Sequence, residues 1–179
     1  SACEKGGEWT AALQVLSIMT RSRVEASTTT YNAAISACEK GGEWTKALEL
    51  FSAMERVQLQ RSTITHNAVI SACESRDEWS MALAVLTSMT RNCMETSAIT
   101  FSAAISACEG GGEWTRALEL LVDMVRRQLE TCTIAYSAAI NACSKSGEWT
   151  KALDLVACMM QGKVDMNAIT YSAAISACE

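Results

Sequence analysis

The chain has 179 residues, 49% of them hydrophobic, and its 15 basic and 20 acidic side chains give a formal net charge of −5. That is apolar material enough for a continuous core, while the acidic balance argues against indiscriminate binding of polyanions, which favours a basic face. No apolar run approaches the roughly 18–20 residues of a membrane-spanning helix, so no membrane partner is expected. One segment, I-S-A-C-E-x-G-G-E-W, recurs almost unchanged, and Trp9, Trp44, Trp79, Trp114 and Trp149 stand 35 residues apart. A strict period of this size predicts a stack of like supersecondary units, each burying its apolar face against its neighbours.

Residues 1–27 read as the C-terminal part of one unit. The first full unit is 28–62. Within it Tyr31, Ala34, Ile35 and Cys38 fall at i, i+3, i+4 and i+7, which predicts a helix A near 29–39. Gly41-Gly42 then supplies a helix stop and a tight turn. Trp44, Ala47, Leu48, Phe51 and Met54 restore the helical spacing and predict a helix B near 43–55, with Glu43 placed to complement its dipole. The polar segment after Met54 reads as a connecting loop. Units 63–97, 98–132 and 133–167 repeat the plan, with A helices expected near 64–74, 99–109 and 134–144. Their B helices are expected near 78–90, 113–126 and 148–160. Residues 168–179 read as the start of another helix A. Both ends of the chain fall at the same point of the repeat, which predicts a longer array; no signal or transit segment is visible.

Charge is unevenly shared. Unit 28–62 has four basic and four acidic side chains, whereas 63–97 has two and four, and 98–132 has three and five. Any basic strip is therefore local. Of the nine cysteines, Cys3, Cys38, Cys73, Cys108, Cys143 and Cys178 share one apolar position. Stacked helices lie about 8–10 Å apart, too far for a disulfide, which needs Cα atoms within about 7 Å. These thiols are expected to be buried and reduced, and Cys132, which breaks the period together with Cys93 and Cys158, to be the most exposed. With a single histidine, His66, and no C-x-x-C, neither a metal site nor a cofactor is expected. No nucleophile–base pairing points to an enzyme. The Trp series, followed by apolar neighbours at helical spacing, reads as a packing anchor between units.

The run T-Y-N-A-A-I-S-A-C-E-K-G-G-E-W-T-K-A-L-E-L-F-S-A-M resembles the pentatricopeptide repeat. The match lies in its Thr-Tyr-Asn opening, its Cys-x-Lys-x-Gly turn and its Ala-Leu-x-Leu-Phe-x-x-Met run, and it extends over the whole chain. The repeats are of the 35-residue P type, in a divergent variant in which Glu-Trp opens helix B and the loop proline is lost. The resemblance implies an all-α fold, a right-handed α-solenoid of helix–turn–helix repeats with the A helices on the inner surface. It implies sequence-selective binding of single-stranded RNA, one base per repeat, in the RNA processing, stability or translation of a mitochondrion or plastid.

By the same resemblance, bases are read by the fifth and last residues of each unit: Asn32 with Ser62, Asn67 with Ser97, Ser102 with Cys132, and Ser137 with Asn167. The end fragments add Ser27 and Ser172. Amide and hydroxyl groups are chemically suited to the Watson–Crick edge of an unstacked base. The second residues, Thr29, Ile64, Ile99, Ile134 and Ile169, would sandwich the bases, and Lys5, Lys40 and Lys145 would meet phosphates. Ser75 and Gly110 replace that lysine in the middle units, where Arg76 is a possible substitute. The pairs imply the reading 5′-C-C-N-A-3′. The acidic middle units leave a second class open: a scaffold whose helices hold a protein, within a large ribonucleoprotein.

Overall fold

The computed structural model describes residues 2–22, 24–162 and 164–177, with side chains from Glu8 onward. Cys3, Lys5 and Cys178 lie outside the described side chains. Ten α-helices and no strand are found among the described residues: α1 (Ala2–Arg21), α2 (Thr28–Gly41), α3 (Trp44–Arg56), α4 (Thr63–Glu74), α5 (Trp79–Arg91), α6 (Ala98–Gly110), α7 (Trp114–Arg126), α8 (Thr133–Lys145), α9 (Trp149–Gln161) and α10 (Ala168–Ser176). The even-numbered helices are the A helices of the units and the odd-numbered ones from α3 are the B helices. All eight expected helices of the four full units form, within about two residues of the ends expected from the sequence.

The N-terminal unit differs from the others. Gly6-Gly7 does not break a helix, and α1 runs through it. A glycine costs a helix interior only about 1 kcal/mol relative to alanine, so the pair permits a turn without imposing one.

Elsewhere the turn is built by a left-handed residue closing the A helix. Gly42 has φ 71°, Gly112 70° and Gly147 73°, and Asp77 fills the same place at 60°. The next amide bonds back to the cysteine carbonyl, Glu43 to Cys38 and Glu113 to Cys108 at 2.9 Å each, which is a Schellman closure. B helices end the same way, with Gln58, Cys93 and Gln128 in the left-handed region and Leu59, Met94 and Leu129 folded back over Met54, Met89 and Met124.

The core is a continuous ladder. Ile35, Ile70, Ile105 and Ile140, the four cysteines of the full units, Ala47, Ala82, Ala117 and Ala152, and the four periodic methionines are all completely inaccessible. Each A helix packs on its own B helix and on the A helices of neighbouring units, and each B helix packs on the next A helix. Among the described residues the backbones of successive B helices stand farther apart than those of successive A helices, so the A helices occupy the tighter, inner side of the array. The tryptophans act between units. Trp9 lies against Gly41, where an added Cβ would come within 2.5 Å of its Cδ1, and Trp79 lies against Gly111 more closely still. Trp149 has no following turn in this chain and is 52% exposed.

Cys38, Cys73, Cys108 and Cys143 are buried and unbridged. Burial pushes the Cys73 and Cys143 thiols up to about 11 and the Cys108 thiol up to about 12, with Glu78, Glu148 and Glu113 adding like charge. The expected order among the remaining cysteines needs correction. Cys93 and Cys158 are exposed, while Cys132 is only half-exposed because it stands at the N-cap of α8 against Ser102.

Two measurements check this account. Thiol labelling of the native protein should modify Cys93 and Cys158 first, Cys132 more slowly, and the periodic four only as fast as the protein opens; rapid labelling of the periodic set contradicts the ladder. In urea titrations Gln128→Gly should gain about 0.5–1 kcal/mol by relieving a left-handed backbone. Gly112→Ala should lose a similar amount although a Cβ there meets nothing within 4 Å.

Candidate functional site

The polar residues that the helical periods leave out of the core collect where successive A helices meet. Each A helix from α2 on begins at an N-cap residue that is also the last residue of the preceding unit, and all of these except Cys132 cap with their side chains. Ser62 caps α4, Ser97 caps α6 and Asn167 caps α10, accepting from the backbone N–H of Thr65, Thr100 and Thr170 at 3.3, 3.4 and 2.9 Å. Ser27 caps α2 in the same way.

The fifth residue of the preceding unit reaches the same threonine. Thr65 Oγ1 donates to Asn32 Oδ1 at 2.7 Å, and Thr100 Oγ1 donates to Asn67 Oδ1 at 2.8 Å. Ser137 and Thr170 hydroxyls lie 2.8 Å apart. Three of the four residue pairs expected from the sequence are thus brought together through a threonine that sequence reading overlooked. Its signal was present: Thr30, Thr65, Thr100 and Thr170 share one repeat position, and Ala135 is the exception. At that exception Ser102 Oγ contacts Cys132 Sγ directly at 3.3 Å. Ser172 is exposed on α10.

The second residues of the units stand out from the surface. Ile64, Ile99, Ile134 and Ile169 are 68, 73, 65 and 63% exposed, and Thr29 is exposed as well. They do not pack at the helix start. Ile99 and Ile134 flank a cleft of about 440 Å³ whose wall includes Ser102, Cys132, Ser106 and Glu74. Two apolar flanks with polar atoms at the back suit a flat aromatic ring.

The cations are less uniform. Lys40 is exposed at the last turn of α2. Lys145 reaches back to the preceding unit, donating to the Glu109 carbonyl at 3.2 Å beside its carboxylate at 3.8 Å. Arg76 donates to the Gly42 carbonyl at 3.1 Å, so it ties turn to turn. Glu39, Glu74 and Glu109 hold one position on α2, α4 and α6. Burial pushes all three carboxyls above the usual carboxylate range; Glu74 is raised further by Glu109 and Glu39, and Glu109 is partly restrained by Lys145. This acidic ladder also went unread in the sequence.

His66 fills the place taken by Tyr31, Phe101 and Tyr136 in the other full units. It is buried, its Nδ1–H donates to the Ser62 carbonyl at 2.9 Å, and its ring meets Phe51 edge-on at 4.9 Å between centroids. Nε2 has no hydrogen-bond partner among the described residues. Burial lowers its pKa.

The chain can be placed among known proteins. The model of the PPR repeat family matches residues 26–73 and 131–179, and the PPR repeat model matches 64–94 and 99–129. No curated protein sequence matches the chain. Among solved structures it is similar to the pentatricopeptide repeat protein PPR10 in complex with an 18-nucleotide psaJ RNA element, with TM-score 0.80 and 24% identity over 92% of this chain and 24% of that one. It is also similar to the PPR domain of Arabidopsis thaliana protein-only RNase P 1 in complex with tRNA, with TM-score 0.72 and 18% identity over 80% of this chain and 76% of that one. A third is nuclear proteinaceous RNase P 2 from A. thaliana, with TM-score 0.76 and 12% identity over 85% of this chain and 35% of that one. The fold is that right-handed solenoid, of which this chain spans about a quarter of the length of PPR10.

His66 gives a pH test. Its folded pKa lies below the ordinary value of about 6.5, so below that pH the unfolded chain takes up the proton first and stability falls. The buried glutamates act in the opposite sense at acid pH, so the histidine is isolated by difference. The stability of His66→Phe minus that of the wild type should grow as pH falls below about 6.5, by at most about 1.4 kcal/mol per pH unit. A pH-independent difference contradicts a buried neutral imidazole.

Proposed function

Because the chain belongs to the pentatricopeptide repeat family, we propose that the inner face of its A helices binds single-stranded RNA sequence-selectively, one base per repeat. The observation that carries this is the recurrence, at one-unit intervals, of an exposed apolar residue beside a polar pair. Ile99 and Ile134 clamp a base by its faces, and the pair at the back of the cleft meets its edge. Asn32 and Asn67 keep both Nδ2 hydrogens for a base, and Ser62 and Ser97 keep a lone pair. In the fourth unit the roles are exchanged, with the amide on Asn167 and the hydroxyl on Ser137. That exchange accords with a cytosine preference at the first two sites and an adenine preference at the fourth. Ser172 begins a fifth site. Lys40 and Lys145 lie near the phosphate path, with Lys5 in the corresponding place of the first unit. No step of chemistry is part of this reading, and its setting is RNA processing, stability or translation in a mitochondrion or plastid.

A second reading, a protein-holding scaffold within a ribonucleoprotein, is favoured by the acidic ladder and by Ser75 and Gly110 in place of lysine. Binding decides between them. Titration of a labelled RNA containing C-C-N-A, in a salt series, should show affinity that falls with salt. Asn167→Asp keeps the Oδ1 that caps α10 and replaces a donor by an acceptor. It should turn the preference at the fourth site from adenine towards guanine, about fivefold or more, within the range of good side-chain-to-base pairings. An effect equal for every base would show that Ser137 and Asn167 do not read bases, and no binding at low salt would favour the scaffold.

A further inference from the structure

At the third site the residue pair itself selects no base. The Ser102 hydroxyl and the Cys132 thiol lie 3.3 Å apart and either can donate to the other, so together they offer a ligand no fixed donor or acceptor. The charged groups of that cleft are of one sign. They are the carboxylates of Glu74 and Glu130, and no lysine or arginine joins them.

Glu74 reaches the cleft from the preceding unit. It is the last residue of α4, and its carboxyl takes a hydrogen bond from Ser106 of α6. Ser106 stands four residues after Ser102, one turn farther along the same face of α6 at about 6 Å of rise. The back of the cleft therefore presents the hydroxyl–thiol pair and then a carboxylate, in line. That line is comparable in length with the Watson–Crick edge of a purine held between Ile99 and Ile134.

Glu74 also differs from its equivalents. Glu109 is met by Lys145 at 3.8 Å, and Glu39 feels the adjacent Lys40. The charges that bear on Glu74 are those of Glu109 and Glu39, both negative, and it has no cationic partner among the described residues. Gly110 stands on α6 where Lys145 stands on α8, which is why no cation arrives. An ionised carboxylate only accepts hydrogen bonds, and one from Ser106 leaves it room for others. Guanine alone among the four bases offers two adjacent donors, N1–H and the 2-amino group, with O6 beyond them for the Ser102 hydroxyl. Cytosine and adenine offer one amino group beside an acceptor nitrogen, and uracil offers one N–H between two carbonyls.

We propose that Glu74 is a specificity-determining residue of the third site and that this site takes guanine, so that the array reads C-C-G-A. This rests on the RNA-binding reading above and fills the one position that reading leaves open.

The test varies RNA and protein together. At pH 8 the intact chain is titrated with labelled RNAs that differ only at the third position of C-C-N-A. Guanine should bind more tightly than uracil by about fivefold or more, the scale of one charge-assisted hydrogen bond. Inosine keeps O6 and N1–H but lacks the 2-amino group, and should bind about threefold or more weakly than guanine. Glu74→Gln keeps the shape of the side chain and removes its charge. It should bring guanine and inosine to within about twofold of each other, while the adenine preference at the fourth site is kept. Equal binding of all four bases by the wild type overturns the inference, and so does equal binding of guanine and inosine. A Glu74→Gln protein that binds every base more tightly by one common factor shows that the carboxylate only repels phosphate, and overturns it as well. The inosine comparison needs only the wild type, so it decides the matter should Glu74→Gln not fold. A wild-type array that binds no RNA at low salt overturns this inference together with the RNA reading.

Discussion

Everything in this molecule depends on the contact between one repeat and the next. A single pair of helices has two apolar faces and can bury only one of them within itself. The other is covered by the neighbouring unit, and the fully buried Ile35, Cys38, Ala47 and Met54 recur in every full unit for that reason. Close approach needs small side chains at the contact, and alanine and cysteine supply them. Isoleucine and methionine fill the remaining volume. Where a neighbour is lacking, at the C-terminal end, Tyr171 is 53% exposed although its counterparts Tyr31, Phe101 and Tyr136 are buried.

The same contact assembles the polar sites. No unit holds a complete one. Asn32 belongs to one repeat, Thr65 to the next, and Ser62 is both the end of the first and the cap of the second helix. In the proposed reading, a capping requirement and a recognition requirement fall on one side chain. That economy constrains the chemistry: an N-cap must accept a hydrogen bond, so its oxygen is partly committed before any ligand arrives. What remains for a ligand is the unused half, amide hydrogens for asparagine and one lone pair for serine. The sulfur of Cys132 caps nothing, which leaves α8 without a side-chain cap and the third site with its own chemistry.

Electrostatics set the limits on what such a groove can hold. Glu39, Glu74 and Glu109 line the helices beside the clefts, and desolvation, joined at Glu74 by repulsion from Glu109 and Glu39, keeps their carboxyls easier to protonate than free ones. Two of the basic side chains nearby, Lys145 and Arg76, are drawn into contacts between turns. In the proposed reading, binding along this face would therefore draw less on bulk attraction for phosphate than on shape and paired hydrogen bonds, and four sites would supply only a modest total.

The sequence by itself determined the architecture, because the signal for it is periodic and local. Two helical periods per 35 residues, a glycine turn and a cysteine on the apolar face suffice to place eight helices and to predict four buried thiols. The Ile series and the amide–serine pairs were nameable from the resemblance alone. Tertiary structure decided the rest, because most of those features depend on residues far apart in the chain. Only in three dimensions does Thr65 prove to join Asn32 to Ser62, does Asp77 prove to do the work of a glycine, and does Gly41 prove to be small on account of Trp9. The exposure of Cys132 was misjudged for the same reason: its place in the period shows that it is out of register, but not that Ser102 of the same unit lies against its sulfur. Helical periods are fixed by backbone geometry within a few residues, whereas hydrogen bonds between residues about 30 positions apart are fixed by how the units stack.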